Sequence, residues 1–232
     1  MAKTTALVVG VGPGLGSALV RRFAAAGMTV AMARRNPEKL QDLAGETGGR
    51  AYPCDVADPA SVEALFESVE GDLGAPDLVA FNAGANMRGG ILEIAPEDFE
   101  RCWRIGCMGG FLVGQEAARR MVPAGQGTIL FTGATAALRG SAGFMNLAVP
   151  KFGLRALAQS MARELGPKGI HIAHIIIDGQ IAGERPGYRP EDRGEDAVLS
   201  PEAIAETYYQ VHLQQRSAWT QELDLRPYVE KF

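Results

Sequence analysis

A glycine-rich stretch near the start of the chain, Val8-Val9-Gly10-Val11-Gly12-Pro13-Gly14-Leu15-Gly16, constrains the fold more than any other segment. The apolar run 6–9 is short enough for a buried strand, and residues 17–24 have the apolar spacing of a helix. A turn between a strand and a helix exposes backbone N–H groups, and the helix N-terminus adds roughly half a positive charge. Glycine lets the backbone approach a pyrophosphate and adopt positive φ. The stretch therefore predicts a phosphate-binding turn.

The rest of the chain alternates between strand and helix patterns. The predicted strands are 4–10, 28–33, 50–54, 77–81, 127–132, 170–176 and about 220–225. The predicted helices are 14–26, 37–46, 59–71, 96–121 and 146–165, with shorter helical pieces between 200 and 214. Pro37, Pro59 and Pro96 occupy first-turn positions of helices. This alternation predicts an α/β fold: a single doubly wound domain over 1–232, with a parallel seven-stranded sheet and helices on both faces.

Composition narrows the class of protein and the partners it can have. A chain of 232 residues can bury a substantial core, and a net charge of −4 gives no sign of a nucleic-acid surface. No apolar run approaches the roughly 20 residues of a membrane span, and the N-terminus passes into a strand without a signal peptide. The cysteines Cys54, Cys102 and Cys107 lack the spacing of a zinc site. We therefore expect a reduced cytoplasmic protein with structural thiols and no metal.

Three glycines of the turn give the pattern G-x-x-x-G-x-G, through Gly10, Gly14 and Gly16. The pattern G-x-G-x-x-G fails because Leu15 stands where its last glycine would be. The chain thereby resembles the short-chain dehydrogenase/reductase family, and the resemblance extends over about residues 4–182. Two tripeptides at predicted strand ends add to the resemblance: Cys54-Asp55-Val56 and Asn82-Ala83-Gly84. The resemblance implies a Rossmann-like fold and a cofactor held by Gly10, Gly12, Gly14, Leu15, Gly16, Asp55, Val56, Asn82, Ala83 and Gly84.

The residues after the second strand indicate which cofactor is bound. A dinucleotide fold that prefers NAD usually has an acidic residue about 20 positions after the glycines, for the ribose 2′-hydroxyl. This chain has Arg34 and Arg35 instead, and a guanidinium pairs well with a 2′-phosphate. The alternative is a solvated basic start to the next helix. The position at the strand's carboxyl end favours NADP(H).

The catalytic residues expected from the family are mostly absent. Lys151 matches the family lysine, which holds the nicotinamide ribose. The position of the acid tyrosine is Leu147, the serine position is Ala134, and the asparagine position is Gly106. Leucine cannot donate a proton and alanine cannot orient a substrate oxygen.

Four other residues are candidate replacements for the missing acid. Thr135 carries a hydroxyl one residue after the serine position, and Asn146 adjoins the tyrosine position. Tyr188 lies in a charged loop rich in Pro and Gly, and His212 lies near the C-terminus. A positioned His or Tyr can act as a general acid. Each also has a structural interpretation: a loop hydroxyl, a helix cap, a surface aromatic and a helix-surface residue, respectively.

The segment after the sixth strand also departs from the family. Asp178 stands where the family has the proline of a Pro-Gly turn, while Gly179 is kept. The resemblance implies backbone contacts from Gly179 and Ile181 to the nicotinamide. It also implies that residues 182–214 form a substrate lid within the single domain.

Glycines at every fourth position of the predicted helix 96–121, Gly106, Gly110 and Gly114, predict that another element packs very close to it. The helix 146–165 carries the small residues Gly153, Ala156 and Ser160. Family members bury the first of these helices in a dimer interface, so the pattern predicts a homodimer or homotetramer. The alternative is packing within the chain, against the sheet or the next helix.

Two classes of function follow. In the first, the chain is an NADP(H)-dependent oxidoreductase that acts on a small carbonyl or alcohol substrate and uses water, the substrate or a substitute side chain as acid. In the second, it is a catalytically degenerate NADP(H)-binding protein that acts as a sensor or assembly partner.

Overall fold

The computed structural model describes residues 4–183 and 196–229, which form one parallel sheet flanked by helices on both faces. The sheet has seven strands in the order β3-β2-β1-β4-β5-β6-β7, and every neighbouring pair is parallel. This confirms the predicted fold class. The strands are β1 Thr5–Val9, β2 Thr29–Arg34, β3 Arg50–Pro53, β4 Leu78–Phe81, β5 Gly127–Thr132, β6 Ile170–Ile177 and β7 Glu222–Leu225.

The strand order reverses direction between β1 and β4. Val9 pairs with Ala33 of β2 on one side and with Phe81 of β4 on the other. In open parallel sheets, ligands bind in the crevice outside the carboxyl ends of the strands at such a switch point. The glycine-rich turn follows β1 and therefore lies at this crevice.

Seven α-helices occupy the described part of the chain, and short turns interrupt the predicted pattern. They are α1 Leu15–Ala25, α2 Gln41–Thr47, α3 Pro59–Leu73, α4 Pro96–Trp103, α5 Gly109–Ala124, α6 Met145–Leu165 and α7 Pro201–His212. The predicted helix 96–121 is divided by a π-helical turn, Arg104–Met108, and the predicted helix 37–46 begins with a 3₁₀ turn, Pro37–Leu40. The start of α3 follows from local chemistry, because the Asp58 carboxylate accepts a hydrogen bond from the Ala60 N–H at 3.1 Å.

Each face of the sheet has its own apolar core. On one face, Phe66 of α3 lies in the same core as Phe81 of β4 and Phe131 of β5, and all three are fully buried. On the other face, Phe23 of α1 and Tyr208 of α7 are also fully buried. Each such side chain contributes about 1.5–3 kcal/mol from burial, so α7 stabilises the fold as α1 does.

The glycines of α5 and the π-helical turn bring the chain close to α6 and the sheet. A Cβ atom on Gly110 would overlap the side chain of Leu154 in α6. A Cβ atom on Gly114 would lie 3.0 Å from Met161 and 3.2 Å from Phe131, and one on Gly106 would lie 3.0 Å from Pro150. The expectation that these glycines mark a subunit interface is therefore wrong. Packing within the chain requires them.

A helix that crosses a membrane must be long and predominantly apolar. None of the helices in residues 4–183 and 196–229 combines the length and the apolar composition needed to cross a bilayer.

Candidate functional site

Two adjoining cavities lie at the carboxyl ends of the strands. The larger has a volume of about 600 Å³ and the smaller about 250 Å³, and both are lined by Gly10, Gly12 and Asn82. The remaining lining of the larger cavity is Val11, Ala33, Arg34, Arg35, Asn36, Lys39, Cys54, Asp55, Val56, Ala83, Gly84, Ala85, Arg101 and Ile105. The remaining lining of the smaller cavity is Pro13, Gly14, Leu15, Gly16, Ile181, Ala182 and Gly183. The structure thus brings most of the predicted cofactor residues together.

The glycine-rich turn has the geometry that the sequence predicts. Gly10 and Gly14 have φ angles of +94° and +90°. A Cβ atom on Gly10 would lie 2.5 Å from the Ala83 nitrogen, and one on Gly16 would lie 2.9 Å from the Gly10 oxygen. Asn82 Nδ2 donates to the Gly10 carbonyl oxygen at 3.1 Å, which joins the ends of β1 and β4. The turn leads directly into α1, whose N-terminus favours an anion.

One end of the larger cavity is strongly basic. Arg34 ends β2 and Arg35 follows it, Lys39 lines the same cavity, and no residue in the described ranges forms an ion pair with any of the three. Arg101 of α4 also lines this cavity, and it donates to Asp98 Oδ1 at 3.2 Å. The lining of the larger cavity therefore carries four cationic side chains and one carboxylate, that of Asp55. This excess of positive charge suits a phosphate group.

Arg101 was not found from the sequence. It lies 66 residues after Arg35, and both residues also line a neighbouring cavity of about 350 Å³. Because Arg35 follows β2 and Arg101 belongs to α4, only the folded chain brings the two side chains to the same cavities.

Lys151 is buried and points at the end of β5. Its ammonium nitrogen donates to the carbonyl oxygen of Thr132 at 2.5 Å. The Thr132 hydroxyl shares a hydrogen bond of 2.8 Å with the Tyr208 hydroxyl. Burial lowers the pKa of Lys151 to about 8, because the surroundings do not solvate its charge. Lys151 does not line either of the two cavities, so its contact with the cofactor ribose stays a prediction.

The three residues that the sequence analysis assigned to the family's catalytic asparagine, serine and tyrosine positions carry no group that can donate a proton. Leu147 lies in the first turn of α6, Ala134 precedes a 3₁₀ turn, Thr135–Ala137, and Gly106 packs against Pro150. Next to Ala134, the Thr135 hydroxyl donates to Asp178 Oδ1 at 2.5 Å. The sequence signal for this partner is an aspartate in place of proline immediately after β6.

Asp178 connects the ends of three neighbouring strands. It is only 5% exposed, and its second oxygen lies 3.1 Å from the Arg226 guanidinium, which follows β7. Its backbone N–H donates to the Leu225 carbonyl oxygen at 2.8 Å. The Arg226 guanidinium compensates the negative charge of the buried Asp178 carboxylate, and the Thr135 hydroxyl donates a hydrogen bond to its other oxygen.

The structure separates one of the other candidates for a replacement acid, His212, from the site. His212 Nδ1 lies 2.9 Å from the hydroxyl of Thr128, the second residue of β5, so His212 sits near the amino edge of the sheet, about 13 Å from the strand's carboxyl end. The structure therefore excludes His212 from the site. Asn146 does not cap α6, and its fully buried amide has no hydrogen-bond partner among residues 4–183 and 196–229. Tyr188 lies outside the described residues.

The predicted lid, 182–214, divides into different parts. Ile181 and Leu199 form an isolated parallel bridge at the edge of the smaller cavity. Gly179 has a φ angle of +152°, a Cβ atom on it would lie 2.8 Å from Pro227 and 3.2 Å from Leu199, and it lines neither of the two cavities. Within the same segment, α7 packs on α1, where the ion pair Arg22–Glu206 measures 2.5 Å. Helix α7 thus belongs to the core, and residues 184–195 lie outside the described ranges.

A buried histidine near Lys151 was also missed from the sequence. His174 Nδ1 lies 3.1 Å from Glu222 Oε2, and Arg155 holds both oxygens of Glu222 at 2.7 Å. Desolvation lowers the pKa of His174 to about 4 and outweighs the opposing effect of Glu222. The strand prediction at 170–176 placed this histidine correctly, but only the β6–β7 pairing shows its partner.

The sheet order, the glycine turn at the switch point and the basic end of the cavity define a dinucleotide-binding protein of the Rossmann type. The short chain dehydrogenase family model matches residues 4–181. The chain belongs to the short-chain dehydrogenase/reductase family of oxidoreductases.

Individual relatives agree with this family. The D-threitol dehydrogenase of Mycolicibacterium smegmatis is 31% identical over 73% of this chain and 67% of its own length. A crystal structure of a short-chain dehydrogenase from Rhodopseudomonas palustris is 42% identical, with a TM-score of 0.84 over 97% of this chain and 99% of that chain. A metagenomic short-chain oxidoreductase in complex with NADP shares the fold at 23% identity, with a TM-score of 0.83 over 97% and 98% of the two chains.

Proposed function

We propose that this chain is an NADP(H)-dependent oxidoreductase that acts on a small alcohol or carbonyl compound. The observation that carries the proposal is the pair Arg34 and Arg35, which line the cavity and form no ion pair with any described residue. Guanidinium groups without a protein partner at the end of a dinucleotide cavity suit a 2′-phosphate, which offers oxygens for bidentate hydrogen bonds. The NADP complex of the metagenomic relative supports the same choice.

The residues that line the two cavities suit the pyrophosphate and the adenine of the cofactor. The glycine turn and the start of α1 would hold the pyrophosphate, and Asp55, Val56 and Ile105 would border the adenine. Asn82-Ala83-Gly84 would line the middle of the cofactor, Gly179 and Ile181 would support the nicotinamide, and Lys151 would reach its ribose. Bound NADP(H) supplies or accepts a hydride at the nicotinamide ring.

The test has two stages, because binding and turnover are separate properties. The first is a fluorescence titration of the protein with NADPH and with NADH. The second is single-turnover oxidation of bound NADPH against a panel of aldehydes, ketones and enones, and reduction of NADP⁺ against the matching alcohols. We expect binding with a preference for NADPH, and hydride transfer with at least one class of compound. Binding without hydride transfer would contradict the proposal and would instead indicate a cofactor-binding sensor or assembly partner.

We further propose that the chain forms a homodimer or homotetramer. Large apolar side chains are exposed on three helices that contact one another through α6: Trp103 of α4, Phe111 of α5, and Val149 and Phe152 of α6. An exposed apolar surface of this kind is typical of a subunit contact. Light scattering at tens of micromolar should give a multiple of 24.6 kDa, and Phe152→Glu should lower that mass. The free thiols Cys54, Cys102 and Cys107 suit a reducing compartment, which we propose is the cytoplasm.

A further inference from the structure

Arg101 of α4 stands at the junction of two cavities. It lines the larger cavity together with Arg34, Arg35 and Lys39, and it also lines the neighbouring cavity of about 350 Å³. Among the other three cations, only Arg35 lines both cavities as well. Arg35 and Arg101 therefore border the same junction, although one follows β2 and the other belongs to a helix.

The guanidinium of Arg101 has weak partners within the chain. Its Nη2 atom donates to Met87 Sδ at 2.8 Å and to Asp98 Oδ1 at 3.2 Å. A thioether is a weak acceptor, and the Arg101 and Asp98 side chains are 55% and 35% exposed, so their ion pair contributes little to stability. No described residue accepts a hydrogen bond from Nε or Nη1 of Arg101. Arg101 can therefore exchange its present partners for a stronger anionic one at little cost.

The nearby Arg104 provides a comparison on the same part of the chain. It lies three residues after Arg101 and lines the neighbouring cavity, but it does not line the larger one. Its Nε atom donates to Glu100 Oε1 at 2.8 Å. Two arginines that are close together in the sequence thus differ in their access to the larger cavity, and Arg104 is a matched control for Arg101.

The junction between Arg35 and Arg101 suits a phosphate group. A phosphate monoester offers three acceptor oxygens and carries a charge of roughly −1.5 to −2 at pH 7. One guanidinium can hold two of these oxygens, which leaves acceptor sites for a second donor. We propose that Arg101 determines cofactor specificity together with Arg35: Arg35 binds the 2′-phosphate of NADP(H) from the end of β2, and Arg101 leaves Met87 and Asp98 to bind it from α4. This inference rests on the proposed function, and it adds a second element, α4, to the recognition of the 2′-phosphate.

Asp98 competes with the phosphate in this arrangement. The guanidinium of an arginine has two edges that present a pair of parallel N–H bonds, and Nη2 belongs to both. A bidentate contact with the phosphate therefore takes Nη2 of Arg101 away from Asp98 and Met87. Asp98→Asn should weaken this competition and tighten binding of a 2′-phosphate about two- to fivefold, the range for the loss of an exposed ion pair. Glu100→Gln, which removes the partner of Arg104, is the matched control and should leave the affinity unchanged.

Binding measurements test the inference without turnover. The probes are adenosine 2′,5′-bisphosphate and adenosine 5′-monophosphate, which differ only in the 2′-phosphate, titrated by calorimetry. Arg101→Ala should weaken binding of the bisphosphate about 10- to 100-fold, as expected for lost hydrogen bonds to a charged group, and should leave binding of the monophosphate unchanged. Arg104→Ala should bind both nucleotides as the wild type does. In a protein that already carries Arg34→Ala and Arg35→Ala, Arg101→Ala should have no further effect, because the phosphate is then not held beside α4.

The contact between Arg101 and Met87 gives a readout that a merely structural role would not produce. In protein with methyl-labelled methionine, the bisphosphate should shift the NMR resonance of the Met87 methyl group more than the monophosphate does, because only the 2′-phosphate draws Arg101 away from Sδ. Arg101→Ala should abolish this difference between the two nucleotides. Equal shifts with both nucleotides in the wild type would overturn the proposed exchange of partners.

The outcomes separate this inference from the proposed function. If Arg101→Ala binds the bisphosphate as the wild type does, or loses no more affinity than Arg104→Ala, Arg101 does not bind the 2′-phosphate. The same conclusion follows if Arg101→Ala weakens binding of both nucleotides alike. In each of these cases the inference is wrong and the oxidoreductase proposal stands. A wild type that binds neither nucleotide and neither NADPH nor NADH overturns both.

Discussion

The ammonium nitrogen of Lys151 lies 2.5 Å from the carbonyl oxygen of Thr132, and Lys151 is only 7% exposed. A neutral carbonyl oxygen compensates a buried cation incompletely, and no carboxylate in the described ranges pairs with this ammonium group. The charge of Lys151 therefore destabilises the folded protein when no cofactor is bound. This cost is consistent with a lysine kept for binding rather than for stability.

The pH dependence of stability should show this cost. The pKa of Lys151 is about 8 in the folded protein against an ordinary value of 10.5, so the unfolded chain binds more protons between these values. Stability must then rise with pH across this window. Relative to Lys151→Met, the wild type should gain on the order of 3 kcal/mol between pH 8 and pH 10.5, measured by urea unfolding. A constant difference between the two proteins would show that Lys151 is solvated.

Arg34 and Arg35 should determine the preference for NADPH. Each hydrogen bond from a guanidinium to the 2′-phosphate is worth about 1.5–3 kcal/mol, so we expect at least a tenfold preference over NADH. Replacing both arginines with alanine should abolish the preference and leave NADH binding nearly unchanged. Arg163→Ala, at the far end of α6, is the control and should behave as wild type. Equal dissociation constants for the two cofactors in the wild type, at moderate salt, would refute the assignment.

His174 should make the protein sensitive to acid. Its pKa is about 4 when folded, against an ordinary 6.5, so the unfolded chain binds more protons between pH 6.5 and pH 4. Stability should fall as pH decreases through this window, by up to about 3 kcal/mol from this residue. His174→Gln, which can keep a hydrogen bond to Glu222, should lose less stability over the same range. Parallel unfolding curves for the two proteins from pH 7 to pH 4 would contradict the prediction.

Substitution at Gly110 should destabilise the chain itself. Gly110→Ala places a methyl group on the buried side chain of Leu154, and overpacking of this kind costs about 1–3 kcal/mol. Gly71→Ala, in α3, meets no atom within 4 Å and should stabilise by about 0.5–1 kcal/mol through helix propensity. Thermal unfolding of the two variants should shift in opposite directions. A change of oligomeric mass in Gly110→Ala, without loss of stability, would place the glycine at a subunit interface instead.

Restoring the family's hydroxyl groups should restore reduction of ketones. Leu147→Tyr combined with Ala134→Ser supplies a proton donor and an orienting hydroxyl, which the wild type lacks at these positions. We expect a measurable rise in ketone reduction with NADPH. Leu147→Phe combined with Ala134→Ser is the control, because it adds the ring without the phenol and should give no rise. If the wild type already reduces simple ketones at ordinary rates, the absence of the tyrosine has no bearing on its activity.

Features that depend on neighbouring residues could be predicted from the sequence. The alternation of apolar patterns predicted a seven-stranded parallel sheet, and the structure confirms it. The glycine-rich stretch predicted a tight turn in which glycine permits positive φ, and the structure places Gly10 and Gly14 at positive φ. These features were readable because a strand, a helix and a tight turn each depend on the φ/ψ preferences of a few consecutive residues.

The tertiary structure decided every relationship between distant residues. Thr135 and Asp178 are 43 residues apart, and they meet only because β5 and β6 are neighbours in the sheet. The same holds for His174 with Glu222 across β6 and β7, and for Gly110 with Leu154 across two helices. His212 was a reasonable acid by residue type, yet α7 runs back along the sheet and places it at the wrong edge. Residue type and local pattern do not contain the order of the strands or the register of the helices, so chemistry that two strand ends share appears only once the chain is folded.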